Sequence, residues 1–323
     1  MRGRFLLCGL LLAVMAVVSM MTGAHFYTLV QLIKALTDAD PTSAVDTIIR
    51  TSRLPRTLLA MGVGAFLAVA GGLMQALTRN PLASPGLFGV NAGAALMIVL
   101  VGSFFAVISP WVTLWLAFTG ALVWFSSRIS KGQLNPLRLV LAGIAITALC
   151  NAFTQAILVV DQETLDTMLF WLAGSLAGND LAQLYPLLFP GVLLVVAACL
   201  FAGQMNVLNA GEEIARGLGL NIALVRLLAS VLVVGLAGCA VALAGSIGFV
   251  GLIVPHIARQ LFGSDLRQSL PASALLGALL LLVADIAARV VILPQEVPVG
   301  VMTALMGAPF FILLAQRRGG HAG

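Results

Sequence analysis

The sequence predicts an all-α, polytopic membrane protein, with about ten spanning helices in a single transmembrane domain over residues 1–323. Three observations carry that expectation. Hydrophobic residues make up 61% of the chain and charged ones 9%, with a mean hydropathy of +1.09, far outside the range of soluble domains. Apolar blocks of about 20 residues, the length that crosses a bilayer, fill nearly the whole chain and leave no room for a soluble domain. The seventeen Lys and Arg residues fall in or beside the short segments between blocks, twelve on one side and five on the other.

By the positive-inside rule the twelve face the cytoplasm: Arg2, Arg4, Arg79, Arg128, Lys131, Arg138, Arg216, Arg226, Arg259, Arg267, Arg317 and Arg318, with both termini. Lys34, Arg50, Arg53, Arg56 and Arg289 face outwards, as do most acidic residues, among them Asp38, Asp46 and Glu296. Topology therefore accounts for the net charge of +5, and nucleic acid is not expected as a partner.

In chain order, the spans fall at about 5–25, 57–77, 87–107, 111–127, 137–160, 184–203, 227–246, 248–262, 271–291 and 298–315. The first follows Arg2 and Arg4. Its length, and the lack of a small-x-small cleavage site, mark an uncleaved span rather than a signal peptide. Pro186 and Pro190 should bend the sixth near its start, and Gly251 and Pro255 interrupt the eighth. Gly62, Gly64, Ala68, Gly71 and Gly72 in the second span, and Gly235, Gly238, Ala242 and Gly245 in the seventh, are spaced for close backbone approach. A faint repeat links Arg56-Thr-Leu-Leu-Ala with Arg226-Leu-Leu-Ala five spans later. An odd offset would invert the two halves in the membrane.

Catalytic chemistry finds no support. His25, His256 and His321 lie far apart, Cys8, Cys150, Cys199 and Cys239 lie singly in apolar runs, and no phosphate-binding Gly-x-x-x-x-Gly-Lys-Ser/Thr occurs. The chain is expected to be no enzyme and to bind no cofactor. Intramembrane charge, the mark of an ion-coupled carrier, is confined to Asp285 and Arg289. Four residues apart, they can pair on one helix face, as a structural pair or with Arg289 serving in docking. Asn151 and Gln155 share a face of the fifth span, either bonding a neighbouring helix or lining a polar path. Arg53-Leu-Pro-Arg56 holds two cations at the outer surface, as interfacial anchors or as a site for a partner's carboxylates.

The polar stretch Gly211–Arg226, within a cytoplasmic loop of about 204–226, is the largest departure from hydrocarbon. Ile214, Leu218, Ile222 and Val225 recur at helical spacing beside Glu212, Glu213 and Arg216, and Gly217 and Gly219 divide the stretch into two short helical pieces. Such a loop is shaped to fit another protein.

Together with Arg53-Leu-Pro-Arg56, the runs Arg79-Asn-Pro-Leu-Ala-Ser-Pro85, Leu218-Gly219-Leu220, Gly248-Phe-Val-Gly-Leu-Ile-Val-Pro-His-Ile-Ala-Arg259 and Pro298-Val-Gly-Val-Met-Thr-Ala-Leu-Met-Gly-Ala-Pro309 resemble the FecCD family over nearly the whole chain. These are permease subunits of ABC importers for iron-siderophores, haem and vitamin B12. The resemblance implies a BtuC-like permease fold in the cytoplasmic (inner) membrane, paired with itself or with a second FecCD-type permease. Two ATP-binding subunits, which hold the ATP and magnesium, would lie below, and a periplasmic or lipid-anchored substrate-binding protein above. It implies docking of that protein at Arg53, Arg56 and Arg289. It implies ATPase coupling through Glu212, Glu213, Ala215, Arg216, Leu218 and Gly219, and a translocation path past Asn151 and Gln155. Within the family the chain is most similar to permeases for ferric citrate and related hydroxycarboxylate siderophores, Trp171-Leu-Ala-Gly-Ser175 contributing. Haem and vitamin B12 remain as alternative cargoes, and an ion-coupled secondary carrier as the alternative class.

Overall fold

The computed structural model describes residues 2–23, 25–38, 42–88, 90–103, 112, 136–160, 169–178, 181–293 and 295–319. Among them the regular elements are helices: α1 (Arg2–Met21), α2 (Leu29–Thr37), α3 (Ala44–Ile48), α4 (Leu54–Thr78), α5 (Val90–Gly102), α6 (Pro136–Val160), α7 (Leu181–Ala210), α8 (Glu212–Gly217), α9 (Ile222–Ala244), α10 (Val250–Phe262), α11 (Leu266–Val290) and α12 (Val299–Gly319). Nine of the ten expected spans correspond to a helix; the other, 111–127, falls almost wholly outside the described residues. Among the described residues five helical stretches are long and apolar enough to cross a membrane: Arg2–Met21, Ala44–Thr78, Pro186–Ala210, Ile222–Ala244 and Leu266–Val290. We call the end carrying Arg56 and Glu296 the outer end, and that carrying α8 the inner end, after the charge asymmetry.

The bundle is built round α4, which packs against α7, α9, α10 and α11. Its glycines explain why. A Cβ on Gly64 would lie 2.2 Å from the carbonyl oxygen of Gly277 on α11, and one on Gly71 would lie 1.9 Å from that of Gly251 on α10. At both crossings backbone touches backbone, so dispersion contacts that side chains would have blocked become available. The small-residue stripe expected on the second span does pack closely; its partners, Gly251 and Gly277, were not legible as such.

Gln75 on α4 shows how a polar side chain earns a place in this core. Pro255 inside α10 has no N–H, which leaves the carbonyl of Gly251 without its intrahelical donor. Gln75 Nε2 donates to that carbonyl at 3.3 Å and to Leu252 O at 3.2 Å, while Gln75 Oε1 accepts from Arg259 Nη2. In hydrocarbon a freed backbone group must find such a partner.

Two segments differ from the sequence reading. Between α1 and α4 the chain folds into α2, with a Thr28–Gln31 capping box, then α3 and a π-helical turn at Ile49–Arg53. At the inner end only the first expected piece of Gly211–Arg226 is separate, as α8. The second is the opening turn of α9, capped by Asn221, whose Oδ1 accepts from Leu224 N–H at 3.1 Å. Gly219, at φ 75°, turns the chain between them, and nothing beyond it breaks the helix.

Candidate translocation path and its two faces

At the outer end the fold gathers Arg53, Arg56 and Arg289 into one network. Pro55 stands in the first turn of α4, where the π-helical turn Ile49–Arg53 runs directly into it, and Arg56 follows. Arg56 stands between two acids: Nε donates to Asp285 Oδ1 at 2.9 Å and Nη1 to Glu296 Oε2 at 2.6 Å. Arg289 lies one turn beyond Asp285 on α11, with Nη2 2.8 Å from Asp285 Oδ2, the pairing its spacing predicts. It also donates to Ser19 O at 2.9 Å, Thr22 O at 3.0 Å and Ser19 Oγ at 2.7 Å. Arg53 Nη1 donates to the same Thr22 carbonyl at 2.6 Å. Two guanidiniums thus satisfy carbonyls left open at the C-terminal end of α1, where the helix dipole favours a cation.

The exposure of their partners separates the three. Arg53 and Arg289 are buried, 8% and 1% exposed. The Arg56 side chain is 11% exposed, and its partner Glu296 is 40% exposed. Of the three cations read as docking residues, only Arg56 borders the surface through an exposed acidic partner. Glu296 and Ser19 complete the cluster. Neither could be chosen from sequence, since Glu296 lies 240 positions from Arg56 and Ser19 lies 270 from Arg289.

At the inner end α8 is held by Glu212, which accepts from Arg226 on α9 and lies 3.6 Å from Arg216 one turn on. Ala215 is fully buried and its carbonyl accepts from Leu220 N–H at 2.9 Å. Glu213, Arg216, Leu218 and Gly219 are exposed, and Ile214 and Leu218 stand out at 54% and 70%. Arg79, at φ 50° closing α4, reaches across to the last turns of α7 through Leu208 O at 2.9 Å. Asn206 on α7 also bonds Asp265 and the Leu266 N–H at the start of α11. Asp265 Oδ1 accepts from Arg267 N–H at 2.9 Å, and these bonds hold its carboxyl below the usual carboxylate range.

Between the faces lies a cavity of about 570 Å³. Its polar wall is made by Ser84, Asn91, Thr147, Asn151 and Ser246; Phe249 and Phe311 contribute aromatic rings. No charged side chain lines it among the described residues. Asn91 Nδ2 donates to Ser246 Oγ at 3.3 Å, which fixes one edge. Asn151 lines this cavity. Gln155, one turn along the same exposed face of α6, is not part of the wall. Phe249 precedes α10 at φ 66°, a conformation rare for a side-chain-bearing residue, and packs where Gly307 of α12 leaves room. Only its tertiary surroundings mark it.

An all-helical bundle of apolar spans beside a largely apolar cavity with a few uncharged polar groups, among the described residues, fits a membrane transport protein. The FecCD transport family matches residues 11–317. The chain is 50% identical over 277 residues to the "Probable siderophore transport system permease protein YfiZ" of Bacillus subtilis, covering 84% of this chain and 83% of that one. It is 44% identical to the Fe(3+)-citrate import system permease protein YfmD of the same organism, over 84% of this chain and 81% of the relative. A solved structure described as an inward-facing metal-chelate type ABC transporter superposes with a TM-score of 0.84 at 31% identity, over 98% of this chain and all of the other. The chain belongs to the FecCD transport family, the permease subunits of ABC importers.

Proposed function

We propose that this chain is the permease subunit of an ATP-driven importer that carries a ferric siderophore, of the citrate or hydroxycarboxylate kind, across the cytoplasmic membrane. The observation that carries the reading is α8: a short helix at the inner end that exposes Ile214 and Leu218 among charged groups. Apolar side chains placed there suit a cleft in another protein better than lipid or water. That protein is a separate ATPase subunit, which binds ATP and magnesium. Two copies of it lie under a pair of permeases formed with a second copy or a similar chain. A substrate-binding protein docks on the outer end near Arg56, with Arg53 and Arg289 bracing the helices beneath it. The uncharged polar wall at Asn91, Asn151 and Ser246 suits a chelate whose iron is already fully coordinated, because weak contacts let it leave.

Both partners bias one two-state bundle. ATP binding below and the loaded binding protein above each favour one arrangement, so occupancy of one end changes the other. The test is crosslinking through Leu218→Cys in native membranes, with uptake of iron-labelled ferric citrate. An ATPase in the crosslinked product and uptake that stops on ATP depletion are expected. Uptake indifferent to ATP, or no ATPase recovered, overturns the reading in favour of an ion-coupled carrier.

A further inference from the structure

We propose that Glu296 is a built-in competitor for the acidic partner at the outer end: its carboxylate holds Arg56 until a carboxylate of the docking protein replaces it. The inference rests on the docking reading above.

The two acids on Arg56 differ in what they can give up. Asp285 is fully buried, held by both Arg56 and Arg289, and has nowhere to go. Glu296 is 40% exposed and lies in the non-helical link after α11, tethered beside it by Val297 N–H to Ala288 O at 3.0 Å. An exposed ion pair is weak, so its exchange for another carboxylate costs little. Exchange does not disturb the guanidinium, because Nε stays on Asp285 while Nη1 changes partner. Arg56 is thus a preset receptor with one replaceable arm, and its fork geometry is what an incoming carboxylate needs. Glu296 also sets a threshold. An approaching surface that offers no carboxylate to replace it docks less well, by the same few-fold factor. Displacement frees the link three residues before α12, the helix that carries Phe311 on the cavity wall.

The probe is the solute-binding protein that crosslinks to the outer face in native membranes, titrated against the purified importer. Glu296→Gln is expected to tighten docking about two- to five-fold, the span of an exposed ion pair's coupling. Asp38→Asn, which neutralises another exposed outer acid, is expected to leave docking unchanged. In an Arg56→Gln background Glu296→Gln is expected to have no effect, the signature of direct competition in a double-mutant cycle. Unchanged or weaker docking by Glu296→Gln, or equal tightening by Asp38→Asn, overturns the proposal, and so does tightening that persists without Arg56. If Arg56→Gln alone leaves docking unchanged, the docking reading itself fails. If that variant does not fold, the comparison of Glu296→Gln with Asp38→Asn decides alone.

Discussion

Arg289 carries a guanidinium that is 1% exposed and bonds to the end of α1 as well as to Asp285. Removing it leaves Asp285 with Arg56 alone and the Ser19 carbonyl without this donor, and hydrogen bonds to a charged group are worth about 1.5–3 kcal/mol each. Arg289→Met is therefore expected to lower the thermal unfolding temperature of the purified chain sharply, with α1 loosened first. Limited proteolysis at the end of α1 would report that; an unaltered melting curve would show that the network is dispensable. A second residue carries a pH dependence. Asp265 is the N-cap of α11 and its carboxyl is held below its ordinary value by the Arg267 N–H and the Asn206 amide. A depressed carboxyl contributes stability that is present above its unfolded value and lost as pH falls through the folded one. Asp265→Ala is expected to melt earlier than the parent at pH 7. The gap should close progressively as the pH falls out of the ordinary carboxylate range and through the depressed folded value, below which the parent carboxylate is itself protonated.

The helices make predictions that depend on how close their backbones run. On α4, Gly71 meets the Gly251 carbonyl, whereas the close neighbour of Gly62 is the tip of Leu188, with the Phe66 ring at ordinary contact distance. A methyl at Gly71 has no flexible atom to push aside, so Gly71→Ala should cost about 1–3 kcal/mol. Gly62→Ala should be tolerated, because Leu188 can turn away. Thermal unfolding of the two variants in the same detergent compares them directly, and equal stability would refute the backbone-contact account. At the inner end, Gly219 at φ 75° sets the direction of α8 against α9. Gly219→Pro cannot adopt that angle, and is expected to leave the bundle folded while ATP hydrolysis no longer drives uptake. Full uptake in that variant would show that α8 does not transmit the stroke.

For the molecule as a whole, much was legible along the chain and the limits are physical. Hydropathy and helical period are local properties, so the spans, the weak points at Pro255 and Gly251, and the Asp285–Arg289 pair four residues apart could all be read directly. The polar stretch at Glu212–Gly219 stood out because its neighbours are hydrocarbon, and the family motifs named the kind of transporter. Contacts between segments far apart in sequence could not be read. Arg56 meets Asp285 across 229 residues, Gln75 meets Gly251 across 176, and Glu296 reaches Arg56 across 240. The sequence therefore showed which residues were charged, polar or small, and on which helix. Whether an arginine ended inside the bundle or at its rim was decided by packing, because burial is a property of the neighbours a residue acquires. Arg53 and Arg289 became internal braces, and of the three Arg56 alone kept an exposed acidic partner, only once α1, α4 and α11 had come together.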